Sequence, residues 1–568
     1  MLNIIRGRAG SGKTEFLFNL IEAHLNCGEE KPLFLVPEQF SFVTERELLV
    51  RFGAKRAKNV EVTSFSRLAR TEFQKIPSNK KTPADDGIRA VLMKKALTAA
   101  EGRLNIFGNF KNTPSSLKSL IEFHKELDLC LSGREGVEEF VKNAPDGLLK
   151  EKLSELLTIN TLYEAIFAQS NFDDTNALKY FNEISRENSF FKGRTDFVDS
   201  FRSFSKPELD CIAIASVCAK DIYVTLCTEN EPAADGPFSF MTDFENRIIA
   251  ASKELGAALS RPLLIEGDRY SGDISYIEKN IYTNTEKSTS SRDSSVKILE
   301  CGDKTSECRA VASEIKKLLR SGKYRCRDIV IIERTAGSYK RELINTLLEY
   351  GIPVFNDSKK PLSSELLFVF SKAVLDCLTD SFSQENIMRY IKSALSPLSF
   401  GESAALEKYA LVWDIGKSGW VSDFKMDPRG FGNAPTEKSQ KELQELNGYR
   451  KRAIIPLLNL KNACENTNGD SISREFFNFL SKLNVPERLF DLSLSLENEG
   501  LVQEAARLKE SFEQLIGILD DLSKLCGNEN IDLKQWYEYF DTLVSCRETG
   551  EIPQGIDEVT VGSADRIR

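Results

Sequence analysis

Leu2-Asn3-Ile4-Ile5-Arg6-Gly7-Arg8-Ala9-Gly10-Ser11-Gly12-Lys13-Thr14 stands at the start of the chain, and its reading decides the fold. Leu2 to Ile5 is a short buried strand by pattern, apolar and β-branched, running straight into glycines. Gly7-Arg8-Ala9-Gly10-Ser11-Gly12-Lys13-Thr14 is a full match to G-x-x-x-x-G-K-[ST]. Glu15 to Leu25 then carries Phe16, Leu17, Leu20, Ile21 and His24 at helical spacing. The glycines let the backbone curl so that its N–H groups point at phosphate oxygens. Lys13 supplies a point charge for the β- and γ-phosphates, and the Thr14 hydroxyl can ligate Mg²⁺. The helix N-terminus adds its positive end. The bare pattern arises by chance in roughly 2% of chains this long, and the flanking strand and helix lower that further. The expected ligand is ATP with Mg²⁺.

Outward from this loop, Leu33-Phe34-Leu35-Val36-Pro37 and Val60-Glu61-Val62 read as further strands, each followed by a helical pattern. Strand–helix alternation at this spacing predicts a parallel, doubly wound sheet of the RecA-like kind. Between Arg51 and Lys81 nine basic residues (51, 55, 56, 58, 67, 70, 75, 80 and 81) meet only Glu61 and Glu72. The functional reading is a DNA phosphate contact surface, with Arg67 and Arg70 on phosphates and Phe65 stacked near a base. The bland alternative is a solvated helix face.

A P-loop needs an acid at a neighbouring strand end to hold the Mg²⁺ shell. Asp199, in Asp196-Phe197-Val198-Asp199-Ser200-Phe201, is the best candidate. Pro207-Glu208 reads as the first turn of a helix, and Asp221-Ile222-Tyr223-Val224-Thr225-Leu226 as the next strand. An active DNA motor carries Glu after that Asp to orient water; here Ser200 follows, so the water is held from elsewhere, for example by Glu208, or hydrolysis is weak. Weak hydrolysis is the expectation. Asp196 is an odd residue for a buried strand.

The 568 residues correspond to roughly four structural units. A net charge of −9 excludes a uniformly basic nucleic-acid coat but not a local basic groove. Only two histidines, His24 and His124, leave little room for histidine catalysis or histidine-rich metal sites. The 12 cysteines show no C-x-x-C pair and read as free thiols of a reducing cytosol. No signal peptide and no span of about 20 apolar residues is present, so the expected location is cytoplasmic, with no membrane association.

Residues 85 to 190 are helical in pattern and interrupt the sheet, as residues 390 to 545 interrupt a second α/β unit. Thr283 to Ser291 looks like a linker, and Val296-Lys297-Ile298-Leu299 is expected to open the second unit as a strand. That unit continues with a helix from Glu307 to Leu319, the strand Ile329-Val330-Ile331-Ile332, and a helix from Tyr339 to Tyr350. The expected domains are 1–290 and 291–568. The class is α/β, with two RecA-like P-loop domains on parallel sheets, each carrying a helical insertion. Glu558-Val559-Thr560-Val561-Gly562-Ser563 is a strand with its loop unfinished, so the second domain is expected to be truncated at its C-terminal end.

Two such halves resemble the superfamily-one helicases of the UvrD and PcrA kind. More closely, the chain resembles the AddB (RexB) family, the second subunits of the AddAB helicase–exonucleases. The matching pieces are the P-loop near Met1, Leu35-Val36-Pro37-Glu38-Gln39-Phe40, Ser64-Phe65-Ser66-Arg67-Leu68-Ala69, Val198-Asp199-Ser200-Phe201 with Phe204-Ser205-Lys206-Pro207-Glu208, and Ile552-Pro553-Gln554-Gly555 with Val559 to Ser563. The resemblance implies a heterodimer with an AddA-type subunit that processes double-strand DNA ends for recombinational repair and scans for the Chi hotspot. It implies ATP and Mg²⁺ at Lys13, Thr14 and Asp199, with Arg334 reaching the γ-phosphate from the second half. It also implies contact with single- and double-stranded DNA at the Phe40 and Phe65 motifs. The family's nuclease domain, with its cysteine-held iron–sulfur cluster, lies in a C-terminal part absent from this chain. Ser563-Ala564-Asp565 stands where active helicases have Thr-x-His, which with Ser200 points to a weak or inactive motor. The competing readings are an inactive helicase-shaped scaffold with ATP as a structural ligand, and a stand-alone P-loop phosphotransferase, which needs a lid within about 200–250 residues.

Overall fold

The computed structural model describes residues 1–568 except 28–30, 76–81, 131–132, 171, 174–176, 188–189, 231, 234–235, 282–294, 336–337, 357–359, 550–556 and 564–568. The expected linker at Thr283–Ser291 and the Ile552–Gly555 motif therefore lie outside the described residues. Among those described, the strands are β1 (Leu2–Gly7), β2 (Leu33–Leu35), β3 (Glu61–Thr63), β4 (Thr82–Pro83), β5 (Phe172–Asp173), β6 (Thr195–Val198), β7 (Asp221–Cys227), β8 (Leu263–Leu264), β9 (Val330–Glu333), β10 (Val354–Asn356), β11 (Lys360–Pro361), β12 (Glu548–Thr549) and β13 (Val559–Ser563).

Six of these strands form one parallel sheet in the order β3-β2-β6-β7-β1-β8. Side chains alternate across it, so each strand feeds two cores. Ile5, Phe34 and Phe197 pack on one face with Leu17, Phe18 and Ile21 of the helix Lys13–Cys27. Ile4, Leu35, Val198 and Val224 pack on the other face with helices Phe65–Gln74 and Lys206–Cys218. The sheet is thus covered on both sides, the arrangement that buries nearly continuous apolar strands.

A second parallel sheet has the order β10-β13-β9. Helices Lys304–Arg320 and Lys340–Glu349 cover it through Cys308, Ile315, Leu343 and Leu347. The chain is therefore α/β, largely helical, with two parallel sheets and helical insertions. One expected strand is not formed. Val296 to Leu299 is unpaired, with Ile298 95% exposed, because no described strand lies beside it to take its hydrogen bonds.

The helical segments differ from expectation in their partners. Helices Asp86–Ala99, Pro114–Leu129 and Leu148–Gln169 share one apolar cluster with helices between Leu366 and Cys546. Lys94 pairs with Glu538 at 3.1 Å and Arg547 with Asp85 at 2.7 Å across that junction. The two insertions are one packed body, since an amphipathic helix buries its apolar stripe wherever a matching stripe is available. Helix Ala177–Glu187, expected in the first insertion, instead packs Leu178 and Phe181 on the six-stranded sheet's layer. Helix Leu366–Thr379, expected before the second insertion, belongs to the helical body.

Among the described residues no helix is long and apolar enough to cross a membrane. The described cysteines are free, and burial pushes the Cys377 and Cys464 thiols up to about 12, which makes them inert packing groups.

Candidate nucleotide site and its basic flank

The glycine-rich loop joins β1 to the helix Lys13–Cys27 at the carboxyl end of the sheet, where α/β folds bind ligands. Gly10 and Gly12 have φ of +75° and +95°, in the left-handed region that side-chain-bearing residues avoid. Gly7 is required by space instead, because a Cβ there would lie 2.4 Å from Ser11 Oγ and 2.8 Å from the Ile265 carbonyl oxygen. Lys13 Nζ donates to the carbonyl oxygens of Gly7 at 2.7 Å and Arg8 at 2.8 Å, so the cation is held over its own loop. Arg8 is turned away from the loop: its Nε donates to Glu278 Oε1 at 2.9 Å and its guanidinium lies 5.4 Å from the Phe238 ring centroid.

Asp199 follows β6 directly and is 3% exposed, with its N–H donating to the Leu35 carbonyl at 3.0 Å. The structure brings it to the loop. Thr14 Oγ1 donates to Asp199 Oδ2 at 2.8 Å, and Ser200 Oγ reaches the same oxygen at 3.2 Å. The Thr225 hydroxyl, from the intervening strand β7, donates to Oδ1. Ser200 has φ of +68°, a left-handed turn that is costly for a non-glycine residue.

Gly10, Ser11, Gly12, Lys13, Thr14, Asp199 and Ser200 line one side of a cleft of ≈ 1120 Å³. That volume is on the scale of cofactor pockets. Ser11 Oγ is buried there without a hydrogen-bond partner among the described residues. A hydroxyl and a carboxylate presented together suit a hard cation such as Mg²⁺, which takes oxygen ligands and keeps several waters. These residues fit a Mg²⁺-bound triphosphate. The metal would polarise the phosphoryl oxygens there.

Beside the expected Lys13, the cleft is lined by cations that the motifs did not name. Arg334 is exposed at the end of β9 and is not among the lining residues. Its strand belongs to the second sheet, and helical segments rather than sheet edges join the two units. Arg46, Arg51 and Arg269 line the cleft instead. Arg51 is engaged with Glu15 at 2.7 Å and Asn19 at 2.6 Å. The Arg269 N–H donates to the Gly10 carbonyl at 3.2 Å, which ties its segment to the P-loop, and Tyr270 lies against Gly10. Sequence reasoning passed over Arg269 because β8, the strand that delivers it, is only Leu263–Leu264.

Glu208 is not among the described residues that line the cleft. It accepts from the Ser205 N–H at 2.8 Å and Ser205 Oγ at 3.0 Å, capping helix Lys206–Cys218. Burial pushes its carboxyl above the usual carboxylate range, against the opposing pull of those Ser205 bonds. Asp196 is fully buried, its carboxylate oxygens without hydrogen-bond partners among the described residues and Arg194 Nε 3.9 Å away. Burial raises its pKa to about 7, against the pull of Arg194 and with a smaller push from Glu61.

The basic flank is also rearranged. Phe65 is 1% exposed and packs on Phe201 with ring centroids 5.2 Å apart, so it has no face for a base. The reason lies in its own helix, where Phe65, Leu68 and Ala69 at i, i+3 and i+4 are all buried. Arg67 and Arg70 are exposed on that helix, and neither side chain makes an ion pair among the described residues. Arg56 is drawn to Asn26 at 2.7 Å and Lys75 to Glu72 at 2.6 Å, while Lys80 and Lys81 lie outside the described residues. Phe40 lines the same cleft as the P-loop.

Residues 4–278 match the family model for the AddB N-terminal region. Similarity continues over the whole chain. It is 25% identical over 581 residues to the B-type subunit of an ATP-dependent helicase/deoxyribonuclease from Clostridium acetobutylicum, covering 100% of this chain and 50% of that protein. Nearly half of the chain is thus similar to the AddB N-terminal region. The corresponding subunits from Clostridium botulinum, 25% identical over 581 residues, and Clostridium perfringens, 26% identical over 592, match it equally along its length, covering 51% and 50% of those proteins. The chain spans about half the length of the curated relatives it matches.

Proposed function

We propose that this chain is the ATP- and DNA-binding part of the AddB-type subunit of a heterodimeric helicase–exonuclease that processes double-strand DNA ends in the cytoplasm. Its partner is an AddA-type subunit, and its two α/β units are the two RecA-like halves of a helicase-shaped body that scans for the Chi hotspot. The observation that carries the reading is the Thr14–Asp199 pair beside Lys13 in the cleft, 2.8 Å apart from segments distant in sequence. The relatives' names, which describe subunits of an ATP-dependent helicase/deoxyribonuclease, support the assignment to DNA-end processing.

The motor of this chain is weak or inactive in this reading. Ser200 occupies the place after Asp199, Glu208 is committed to a helix cap, and Arg334 does not line the cleft. Those same three observations favour a second reading, in which ATP is a structural ligand of a DNA-binding scaffold. DNA-stimulated ATPase, measured on the chain with and without an AddA-type partner, separates the two. A turnover by the chain alone above about 10 s⁻¹, the median for working enzymes, sinks the weak-motor reading. Absence of any nucleotide binding sinks both.

A further inference from the structure

We propose that Thr225 is a positioning residue for the metal-bound nucleotide, holding the Asp199 carboxylate in the one orientation that presents Oδ2 to Thr14. The inference rests on the nucleotide reading above and names a residue to which that reading gave no role. Strand β7 lies between β6, which delivers Asp199, and β1, which delivers the P-loop. Ile222, Val224 and Leu226 face one apolar layer, so by the two-residue period Tyr223 and Thr225 face the other. Tyr223 stacks on Phe197 there, centroids 5.4 Å apart at 11°, and the next residue on that face is Thr225, whose hydroxyl reaches the Asp199 carboxylate.

Thr225 and Asp199 are each 3% exposed. The Thr225 hydroxyl donates to Oδ1, whereas Thr14 and Ser200 both donate to Oδ2. Each carboxylate oxygen therefore has its own donors, and rotation about the Cβ–Cγ bond would break both sets. Oδ1 is occupied on the protein side, and Oδ2 is left on the side of Thr14, the hydroxyl expected to ligate Mg²⁺. Removing the Thr225 donor leaves a buried carboxylate oxygen unpaired, and the carboxylate turns to recover a partner. The effect falls on metal-dependent binding, because the Thr225 hydroxyl bonds the Asp199 carboxylate, the group expected to hold the metal shell.

The test is ATP affinity by calorimetry on the full chain, in Mg²⁺ and in EDTA, with the nucleotide-free melting temperature alongside. Thr225→Val keeps the shape and removes the donor. It should lose about tenfold of the affinity gained from Mg²⁺, the scale of a hydrogen bond to a charged group. Affinity in EDTA should stay within about twofold, Thr225→Ser should restore the gain, and Thr225→Val should add nothing to Asp199→Ala. An undiminished Mg²⁺ gain in Thr225→Val overturns the inference, as does an equal loss in EDTA. If Thr225→Val does not fold, Thr225→Cys, with its weak donor, carries the same comparison with the same outcomes. A wild-type chain that gains nothing from Mg²⁺ overturns the nucleotide reading and this inference together; a gain that survives both substitutions overturns the inference alone.

Discussion

Thr14 Oγ1 and Asp199 Oδ2 are joined by a 2.8 Å hydrogen bond between residues 185 apart in the chain. The contact joins the two groups expected to share one metal shell. It also sets the first prediction. Asp199→Ala should remove most of the Mg²⁺-dependent gain in ATP affinity, and Lys13→Ala should weaken ATP by about 2–4 kcal/mol with or without metal, as a charged contact at a partly dry site. Calorimetric titrations in Mg²⁺ and EDTA check both, and an unchanged Lys13→Ala isotherm would exclude the P-loop as the phosphate site.

Arg269 lines the cleft and Arg334 does not. Arg269→Ala should therefore weaken ATP by about 1 kcal/mol, a modest figure for an exposed side chain. Arg334→Ala should leave ATP binding by this chain unchanged. Fluorescent-nucleotide titration distinguishes them, and the reverse ranking would restore the role first expected of Arg334.

Arg67 and Arg70 present two positive charges on one exposed helix face, whereas Phe65 on the same helix is in the core. Replacing both arginines should lower single-stranded DNA affinity whatever the sequence and flatten the log K against log salt slope by about 1.4, at ~0.7 per contact. Phe65→Ala should act on stability instead, costing about 3–5 kcal/mol, the usual range for a buried phenylalanine. A parental salt slope in the double mutant reduces the basic run to a solvated face.

Asp196 makes stability depend on pH. Its folded pKa of about 7 lies above its ordinary 3.8, so between these values the unfolded chain binds fewer protons than the native one. Stability must then fall as pH rises through that window and level off above it. Between pH 5 and pH 8 the wild type should lose about 3 kcal/mol that Asp196→Asn does not, at 1.36 kcal/mol per unit. Urea unfolding at the two pH values measures the difference, and parallel behaviour of the two proteins contradicts it.

Trp536, fully buried, stacks on Phe540 at 5.6 Å in the cluster shared by both insertions. Trp536→Ala should cost about 3–5 kcal/mol and lower amide protection in Asp86–Ala99 as well as in its own helix. Loss confined to Leu533–Cys546 would show two independent bodies.

Local pattern was enough for several features of this chain. The P-loop is a contiguous motif whose backbone geometry is set by its own glycines, so Lys13 and Thr14 could be named from order alone. Strand Asp221–Cys227 was legible because a parallel strand buried on both faces is largely apolar, and Val330–Glu333 because it is β-branched and apolar, although Val330 and Ile332 stay exposed on one face. Asp199 was legible for the same reason, as the acid ending such a strand.

What the sequence could not decide is everything that depends on which surface meets which. Phe65 and Arg67 are two residues apart, and only the packing of their helix sends one into the core and the other to solvent. Arg334 matched a motif, yet a motif carries no distance, and the cleft is lined instead by Arg46, Arg51 and by Arg269 from the segment after a two-residue strand. The two helical insertions are separated by a whole α/β unit in the chain, and their shared core exists because complementary apolar stripes bury more surface together than apart. Thr225 reads as one more β-branched strand residue; its hydroxyl acquires a partner only when β7 is laid between β6 and β1. Periodicity and motifs are properties of neighbours along the chain, whereas the site is made by neighbours across the sheet.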